Sequence, residues 1–574
     1  MLLIHGSGLA EARFTLKGTD VRIARAEHSA NGHWAFLFLE TTHAAAQSVL
    51  ITAESHGATV SKSYELAERK KTSTGHAGFS AEDVLYEIMP DRYSRVGEPT
   101  ADLDRSKPRA WHGGNLAGIT AHVGQIKALG ATALWLTPVM SNAGMNESYH
   151  GYAATDFYSI DSHFGTVADY QKLSDALHAE GIKLIIDLAP NHLGVEHVWI
   201  NDPPAPEWFH GTREKHLAMG DDFNQLVDPH AAPASNNAIT RGWFTDAMPD
   251  LNQSNPLVER YLIDNTIWWI EKANLDGLRL DTFPYVDRAF WQHFNAAVHA
   301  AYPKLTDVGE IFHRDPIVTS YFAGGVEHNG VDTGLDTPFD FPVYFTLRDV
   351  LVHDKSFTAL KDTMRADALY PHPERLITFI GNHDTTRFIT EAGGSLAKLE
   401  MAQAMALTMR GMPMIYSGDE IAMSGGEDPD NRHDFPGGFA GDKHNAFTVD
   451  GRTADEQKMW TLTSSLTHLR AQNVALREGV EQNLVATDDT FAFVRAMNAQ
   501  GCKTSDAAAH YFVAVNKAKT ARPLTLSTTM TALEGCSSYR AVASSVENAA
   551  GAELKDGSLQ INLAPESFTL FEVR

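Results

Sequence analysis

Eight short apolar runs, separated by stretches with helical spacing of apolar residues, constrain the fold of this chain more than any other feature. The intervening stretches include Val167–Glu180, Pro256–Asn274 and Arg288–Ala301. Strands that alternate with helices are typical of a parallel sheet, and eight such units predict an α/β fold of the (β/α)₈ TIM-barrel type. The predicted strands lie within Val84–Pro90, Ala131–Val139, Lys183–Pro190, Leu275–Asp281, Thr306–Phe312, Asp336–Val343, Leu376–Asp384 and Pro413–Ile421.

Short alternating strands flank this region on both sides. Residues 1–78 contain patterns such as Trp34–Leu39, and residues 477–574 contain others such as Thr490–Ala496. Both patterns predict β-sandwich domains, which leaves residues 79–476 for the barrel. About fifty residues rich in Pro, His, Asp and Asn follow the third strand, and loops of that length are usually functional. We therefore predict an inserted subdomain over residues 193–245 that overhangs the active face.

Charge and cysteine content exclude several classes of function. The 574 residues include 47 Lys and Arg against 72 Asp and Glu, a net charge of −25. This charge repels phosphates and anionic lipid, so we expect neither nucleic acid nor a membrane as a partner. No apolar run is long enough to span a bilayer, and the first residues lack a signal peptide, so as written the chain is expected in the cytoplasm. Cys502 and Cys536 fit no disulfide framework or metal motif, and we expect two free thiols.

Polar clusters end four of the eight predicted strands, where barrel enzymes carry their chemistry. A single carboxylate at a strand end is more often a helix cap or a solvated loop residue. Four such ends in one barrel instead indicate a shared site. The clusters are Asp187–His192, Gly277–Asp281, Val308–Glu310 and Gly381–Asp384.

Two of these clusters carry carboxylates with different predicted environments. Strand alternation places Arg279 and Asp281 on one face, and the guanidinium favours the ionised carboxylate that a nucleophile requires. Glu310 is expected in a region with few cations, where desolvation raises its pKa and keeps it protonated as an acid. Such a pair is typical of glycoside hydrolases, and in retaining enzymes the two groups lie ~5–5.5 Å apart.

The sequence contains no motif typical of metal hydrolases, phosphate-binding loops or serine hydrolases. There is no H-E-x-x-H, and neither His192 nor His383 has a second histidine at ligand spacing, which argues against a zinc hydrolase. The glycine-rich stretches lack the lysine of a phosphate loop, and no serine nucleophile elbow occurs. Several tryptophans offer planes for sugar stacking, although Trp268 and Trp269 fit core positions of a helix.

The four clusters, in this order and on these strands, resemble the motif regions of the α-amylase superfamily, glycoside hydrolase family 13. Met-Pro-Asp-Leu-Asn at Met248–Asn252 resembles the corresponding motif of neopullulanases and cyclomaltodextrinases. The N-terminal strands, which end at Ser63–Leu66, resemble the N-terminal domain of that group. Further matching motifs are Tyr149–Tyr152, Asp281–Tyr285 and Arg432–Gly438.

The resemblance implies retaining hydrolysis of α-1,4-glucosidic bonds in cyclodextrins, maltooligosaccharides, pullulan or starch. It makes Asp281 the nucleophile and Glu310 the general acid/base. Asp384 would hold the 2- and 3-hydroxyls of the distorted sugar and help to stabilise its transition state. The resemblance also assigns substrate-binding roles, with Tyr152 stacking beneath the attacked sugar, Arg279, His192 and His383 lining its subsite, and Asp428 and Arg432 contacting the next sugar.

The family's calcium sites are not expected in this chain, and the chemistry needs no cofactor. The loop Asp91–Arg105 lacks the asparagines of one site, and its arginines would oppose a cation. Asn191 matches a ligand of a second site, but Pro284 and Tyr285 replace the Lys-His pair that completes it. In the group that the chain resembles, the N-terminal domain often builds a dimer and often follows an export signal. A homodimer and, behind a truncated start, a periplasmic location therefore stay open.

Two other kinds of function are considered. Glycosyl transfer on α-glucans would use the same residues, because a sugar can intercept the covalent intermediate in place of water. An α-amylase or α-glucosidase specificity would use them as well. A non-catalytic sugar-binding or transporter-associated subunit is disfavoured, since such relatives lose a catalytic carboxylate and carry a membrane anchor.

Overall fold

The central element is an eight-stranded parallel sheet in which neighbouring strands follow one another in the chain. The computed structural model describes residues 1–69, 76–502, 510–547 and 551–574. A parallel bridge between Phe339 and Ile377 joins the two edges, so the sheet is a nearly closed TIM barrel. The barrel strands, first to eighth, are Leu85–Ile88, Ala133–Leu136, Lys183–Leu188, Gly277–Leu280, Thr306–Gly309, Thr337–Pro338, Ile377–Thr378 and Met412–Tyr416.

Seven of the predicted apolar runs contain one of these strands whole, the eighth strand begins one residue before its run, at Met412, and the predicted fold class is confirmed. The runs lack polar alternation because parallel barrel strands are buried on both faces, as in the first, second and fourth strands. The sixth run was predicted too long. Its second half begins the helix Phe341–Leu351, where Pro342 stands in the first turn and the Asp340 side chain caps the backbone N–H of Val343.

Helices surround the barrel, and their starts follow sequence signals for capping. Thr166 and Asp169 form a capping box at the start of Val167–Ala179, and Asn255 caps the start of Pro256–Ala273. The other helices around the barrel are Pro90–Tyr93, Leu116–Ala121, Val123–Leu129, Arg288–Ala301, Pro316–Tyr321, Thr358–Met364, Phe388–Glu391, Leu396–Thr408, Ala454–Gln472 and Val474–Arg477. Single 3₁₀ turns span Val198–Ile200, Phe283–Tyr285, Arg365–Leu369, Pro373–Arg375, Asp419–Ile421 and Val449–Gly451.

The segment after the third strand has secondary structure of its own. It contains the helices Asn224–Val227 and Pro233–Arg241 and a parallel pair of short strands, Leu217–Ala218 and Gly242–Trp243. A second small sheet pairs Met140–Ser141 with Asp156–Ile160 beyond the second barrel strand. Both lie on the side of the barrel where the predicted site residues are found.

Antiparallel sheets flank the barrel at both ends of the chain. The first two, in spatial order, are Leu2–His5, Trp34–Glu40, Arg22–His28 and then Arg13–Lys17, Gln47–Ser55, Ala58–Leu66. The last two are Val480–Ala486, Thr490–Ala496, His510–Asn516, Ser567–Val573, Tyr539–Ser544 and then Arg522–Ser527, Ser558–Leu563, Ala552–Lys555. Within the described ranges, no helix has the length and apolar character needed to cross a membrane.

Cys502 and Cys536 form a disulfide, so the prediction of two free thiols is wrong. The cysteines are 34 positions apart in the sequence, and their Cα atoms lie 4.9 Å apart. Two cysteines in a long chain carry no spacing rule that separates a bonded pair from free thiols, because the fold alone brings the Cα atoms within reach. Disulfides persist mainly in oxidising compartments, and cell fractionation is the measurement that bears on the expected cytoplasmic location.

We expect that replacing Cys502 and Cys536 together by serine lowers the melting temperature of the C-terminal sheets and leaves kcat unchanged. Opening a loop of this length returns chain entropy to the unfolded state, worth ~4 kcal/mol at most. Scanning calorimetry measures the shift in melting temperature. The natural protein reduced with dithiothreitol provides the matched comparison. A double variant with the same melting temperature as the oxidised natural protein would contradict this expectation.

Candidate active site

The nine residues predicted to act on substrate gather at the carboxyl ends of the barrel strands. Arg279 and His383 lie beneath the surface of a cavity of about 710 Å³, with exposures of 1% and 0%. A cavity of this size is typical of a small-ligand site. The other seven, Tyr152, His192, Asp281, Glu310, Asp384, Asp428 and Arg432, line the cavity itself.

The guanidinium of Arg279 is the centre of the cluster. Its Nη1 lies 2.6 Å from Oδ1 of Asp281 and 2.9 Å from Oδ1 of Asp187. Its Nη2 lies 2.8 Å from Oε1 of Glu310. The prediction that few cations surround Glu310 is therefore wrong. Because Asp281 and Glu310 bind neighbouring nitrogens of one guanidinium, their carboxylates are held close to each other.

Burial raises the pKa of both carboxyl groups. It raises the pKa of Asp281 to about 6 against the opposing charge of Arg279. It raises the pKa of Glu310 to about 7, again opposed by Arg279 and reinforced by Asp281 and Asp384. The sequence suggested that Arg279 would keep the pKa of Asp281 low. In the structure, burial outweighs the charge of Arg279, and the pKa of Asp281 lies above its ordinary value. Both carboxyl groups therefore take up protons closer to neutral pH than an exposed carboxyl group does, and they titrate as a pair.

Asp384 has the opposite electrostatic balance. Burial alone would raise its pKa, but the charges of His383 and Arg432 hold the pKa below its ordinary value. Nε2 of His383 lies 3.2 Å from one carboxylate oxygen, and Nη2 of Arg432 lies 2.9 Å from the other. Asp384 is therefore an anion at neutral pH, at the edge of the same cavity.

Two supporting acids were not assigned a role from the sequence. Glu87 on the first strand is fully buried and lies 2.6 Å from Nδ1 of His383. Asp187 on the third strand accepts hydrogen bonds from Oη of Tyr152 at 2.9 Å and from Nε1 of Trp135 at 3.0 Å. In the sequence, each of the two appears as a single acidic residue within an apolar run. That pattern predicts a buried acid but does not show what the acid binds. Both acids fix the orientation of residues that line the cavity.

Aromatic and ionic contacts form the walls of the cavity. The rings of Tyr152 and His383 are stacked, with centroids 5.4 Å apart and 8° between planes. His192 stacks on Phe244 of the insertion, and burial lowers the pKa of His192 to about 4, so its imidazole is neutral near pH 7. At the outer rim, Asp428 lies 3.1 Å from Nη1 of Arg432. Its other oxygen lies 3.4 Å from Arg109, a residue that sequence reasoning missed.

Two family models match this chain. A model of the alpha amylase catalytic domain matches residues 87–479, and a model of the cyclomaltodextrinase N-terminal domain matches residues 1–70. The chain belongs to the α-amylase family. The family resemblance inferred from the motifs of the barrel and of the N-terminal strands is thereby confirmed.

Individual members of the α-amylase family align over most of this chain. A cyclomaltodextrinase from Thermoanaerobacter pseudethanolicus is 29% identical over 428 residues, which cover 73% of this chain and 68% of the relative. Neopullulanase 2 from Thermoactinomyces vulgaris is 32% identical, covering 62% and 59%. The crystal structure of an Anoxybacillus α-amylase superposes with a TM-score of 0.71 at 30% identity, covering 86% of this chain and 98% of that one. The chain spans between 32% and 68% of the length of the curated relatives that it matches.

At the first of the two calcium positions of the α-amylase family the carboxylate already has other partners, and the expectation of no calcium at the second stays a prediction. The carboxylate of Asp91 accepts hydrogen bonds from the backbone N–H groups of His112 and Gly113 and lies 3.1 Å from Nε of Arg92. Oδ1 of Asn191 is buried without a hydrogen bond. Across the described part of the chain, however, no group of three acidic, imidazole or thiol ligands is found beside it. The chemistry derived below involves no calcium.

Proposed function

We propose that this chain hydrolyses α-1,4-glucosidic bonds with retention of configuration, as a cyclomaltodextrinase or neopullulanase. Its substrates would be cyclodextrins, maltooligosaccharides, pullulan or starch. The observation that supports this most is the guanidinium of Arg279 shared by Asp281 and Glu310. A retaining mechanism needs two close carboxyl groups, one ionised and one protonated, and the shared guanidinium with the raised pKa values supports this division of roles.

Asp281 is the nucleophile and Glu310 the general acid/base. Asp281 attacks the anomeric carbon and forms an ester with the sugar, while Glu310 donates its proton to the departing glycosidic oxygen. In the second half, Glu310 takes a proton from a water molecule that attacks the anomeric carbon, and the ester bond to Asp281 breaks. Asp384, held as an anion by His383 and Arg432, accepts hydrogen bonds from the 2- and 3-hydroxyls and stabilises positive charge on the ring.

The walls of the cavity favour short or cyclic substrates over granular starch. Phe223 and Phe244 of the insertion pack edge-on against Tyr285, with ring centroids 5.1 and 5.7 Å away. Aromatic faces of this kind bind the apolar faces of glucose rings. Asp428, which pairs with Arg109 and Arg432, lines the same cavity. We expect the aromatic side chains that the insertion contributes to this cavity to favour a small ring or a chain end over a long polymer.

The experiment compares β-cyclodextrin, pullulan and soluble starch under the same conditions. We expect the highest kcat/KM on cyclodextrin. No activity on any of the three would refute the proposed function, whereas faster cleavage of starch would refute only the subgroup. Products formed at high maltose test the fate of the intermediate: longer oligosaccharides in excess of glucose and maltose would make the chain a glycosyltransferase.

The pH profile of kcat/KM on β-cyclodextrin should be a narrow bell. Activity requires Asp281 ionised and Glu310 protonated, so it falls as the pH drops through about 6 and again as the pH rises through about 7. The two limbs belong to the coupled pair, and Glu310→Gln should remove the alkaline limb. A rate that stays constant between pH 5 and 9 would contradict the assigned proton states.

We also propose that the chain forms a homodimer through its N-terminal domain. The edge strand Ala58–Leu66 is exposed along all but its last residue, and Val60 and Tyr64 are 71% and 36% exposed. An open strand edge with apolar side chains favours pairing with another chain. Light scattering should give twice the monomer mass of 62.9 kDa, and Val60→Lys should shift the mass toward the monomer. A monomer at all concentrations would refute the dimer.

A further inference from the structure

The opposite end of the barrel carries a second cluster of ligating groups. His299 lies near the end of the helix Arg288–Ala301, Asp307 on the fifth strand, and Asp336 just before the sixth strand. One ligand atom from each lies within 4.8 Å of the other two. Val308 belongs to the barrel interior, so strand alternation turns Asp307 outward to the layer between sheet and helix.

Backbone hydrogen bonds fix the two aspartates relative to each other. The N–H of Asp307 donates to Oδ2 of Asp336 at 3.0 Å, and the N–H of Asp336 donates to Oδ1 of Asp307 at 2.8 Å. This reciprocal arrangement leaves Oδ2 of Asp307 directed toward His299. Asp307 is 0% exposed, and its Oδ2 has no hydrogen-bond partner. Nε2 of His299 is buried as well and faces Oδ2 of Asp336 at 3.2 Å.

The two carboxylates of this cluster face one imidazole, that of His299. Across residues 1–69, 76–502, 510–547 and 551–574, no lysine or arginine forms an ion pair with Asp307 or Asp336. Lys183 lines the adjacent cavity of about 590 Å³, but its Nζ lies 2.7 Å from Asp83. Lys304 and Arg375 also line that cavity without pairing with either aspartate. A buried carboxylate oxygen without a hydrogen-bond partner, such as Oδ2 of Asp307, costs free energy unless a ligand satisfies it.

We propose that His299, Asp307 and Asp336 form a structural site for a divalent transition-metal ion such as Zn²⁺. Nε2 of His299 lies 3.2 Å from Oδ2 of Asp336 and 3.9 Å from Oδ2 of Asp307. These separations lie on either side of the ~3.4 Å expected between ligands of a tetrahedral zinc ion with bonds of ~2.1 Å. An imidazole nitrogen with two carboxylates favours zinc, manganese or cobalt over calcium and magnesium.

The ion would tie the helix Arg288–Ala301 to the fifth strand and to the start of the sixth. The sixth strand has only two residues and meets the seventh through the single bridge at Phe339. The adjacent cavity is lined by Phe79, Ser80, Lys183, Thr306 and Thr337, which stand at the amino-terminal ends of barrel strands. Residues at this end of a TIM barrel contribute to stability and not to catalysis. Zinc binding at His299, Asp307 and Asp336 therefore does not depend on the proposed sugar chemistry.

The test is a calorimetric titration of EDTA-treated full-length protein with ZnCl₂, with thermal unfolding as the second readout. The matched control is His33→Gln, which removes a half-exposed histidine 3.0 Å from Asp202. We expect one equivalent of Zn²⁺ to bind to the natural chain and to the control, and to raise the Tm of both by several degrees. His299→Gln should weaken binding at least tenfold and abolish the Tm shift.

Asp336→Asn provides a second variant, because the asparagine oxygen can still accept from the N–H of Asp307 and so preserve the local fold. It should also weaken zinc binding at least tenfold. Co²⁺ bound to the natural chain should give the visible absorption bands of a four-coordinate ion, and His299→Gln should remove them. Absence of stoichiometric binding, binding that His299→Gln and Asp336→Asn leave unchanged, or binding lost in the His33→Gln control would each overturn the site.

Discussion

Replacing Asp281 by asparagine is expected to lower kcat on β-cyclodextrin by at least about 10³-fold. The amide cannot form the sugar ester, whereas its oxygen can still accept a hydrogen bond from Nη1 of Arg279, which lies 2.6 Å from the carboxylate. The cavity should therefore keep its shape. Titration calorimetry with maltoheptaose should give a Kd within about threefold of that of the natural enzyme, because the contacts of the sugar rings are unchanged.

The matched control is Asp556→Asn, which makes the same chemical change at an exposed position in a turn of the C-terminal domain. Its kcat should equal that of the natural enzyme. An Asp281→Asn enzyme that retains more than a tenth of the natural kcat would show that another group attacks the sugar. A large loss of maltoheptaose binding would show that Asp281 acts mainly in ground-state recognition.

Replacing Glu310 by glutamine has the second-largest expected effect, and it should depend on the leaving group. On β-cyclodextrin we expect kcat to fall by about 10²–10⁴-fold, because the departing sugar oxygen needs a proton. On 4-nitrophenyl α-maltoside the first turnover should fall far less, since nitrophenolate leaves without one. The second half-reaction still lacks its base. Stopped-flow absorbance should therefore show a burst of nitrophenolate followed by slow turnover.

Equal losses on the two substrates would contradict the role of Glu310 as the acid. The same would hold for a variant that keeps the alkaline limb of the pH profile, because Glu310 is the group whose pKa of about 7 produces that limb. Circular dichroism controls for folding. Glutamine can still accept the hydrogen bond from the backbone N–H of Thr282 that Oε2 of Glu310 receives at 3.1 Å.

The barrel was predictable because its strands are buried on both faces and therefore read as unbroken apolar runs. Strand lengths were not predictable. Thr337–Pro338 and Ile377–Thr378 are only two residues long, since their ends depend on neighbouring strands and on where the next helix begins. The contact of Arg279 with Asp281 was predictable as well, because two residues on one strand share a face whatever surrounds them.

Contacts between different strands cannot be predicted from such local rules. Arg279 is in register with Val308 on the neighbouring strand, so Asp281 and Glu310 lie side by side just beyond the ends of the two strands. That register follows from packing of the whole barrel, and it brings the guanidinium to Glu310 where the sequence suggested few cations. The pairing of Glu87 with His383 and the disulfide of Cys502 with Cys536 join segments 296 and 34 positions apart. No local pattern encodes such pairings.

Trapping of the covalent intermediate tests the proposed mechanism most directly. A 5-fluoro-α-glucosyl fluoride is activated for attack by the nucleophile, but the ester that forms is hydrolysed slowly. The sugar therefore accumulates on the nucleophile. After proteolysis, mass spectrometry should find one fluoroglucosyl group on the peptide that contains Asp281, and Asp281→Asn should remain unlabelled. A label on any other residue, or efficient cyclodextrin cleavage by an enzyme that never becomes labelled, would contradict the assignment of Asp281 as the nucleophile of a retaining hydrolase.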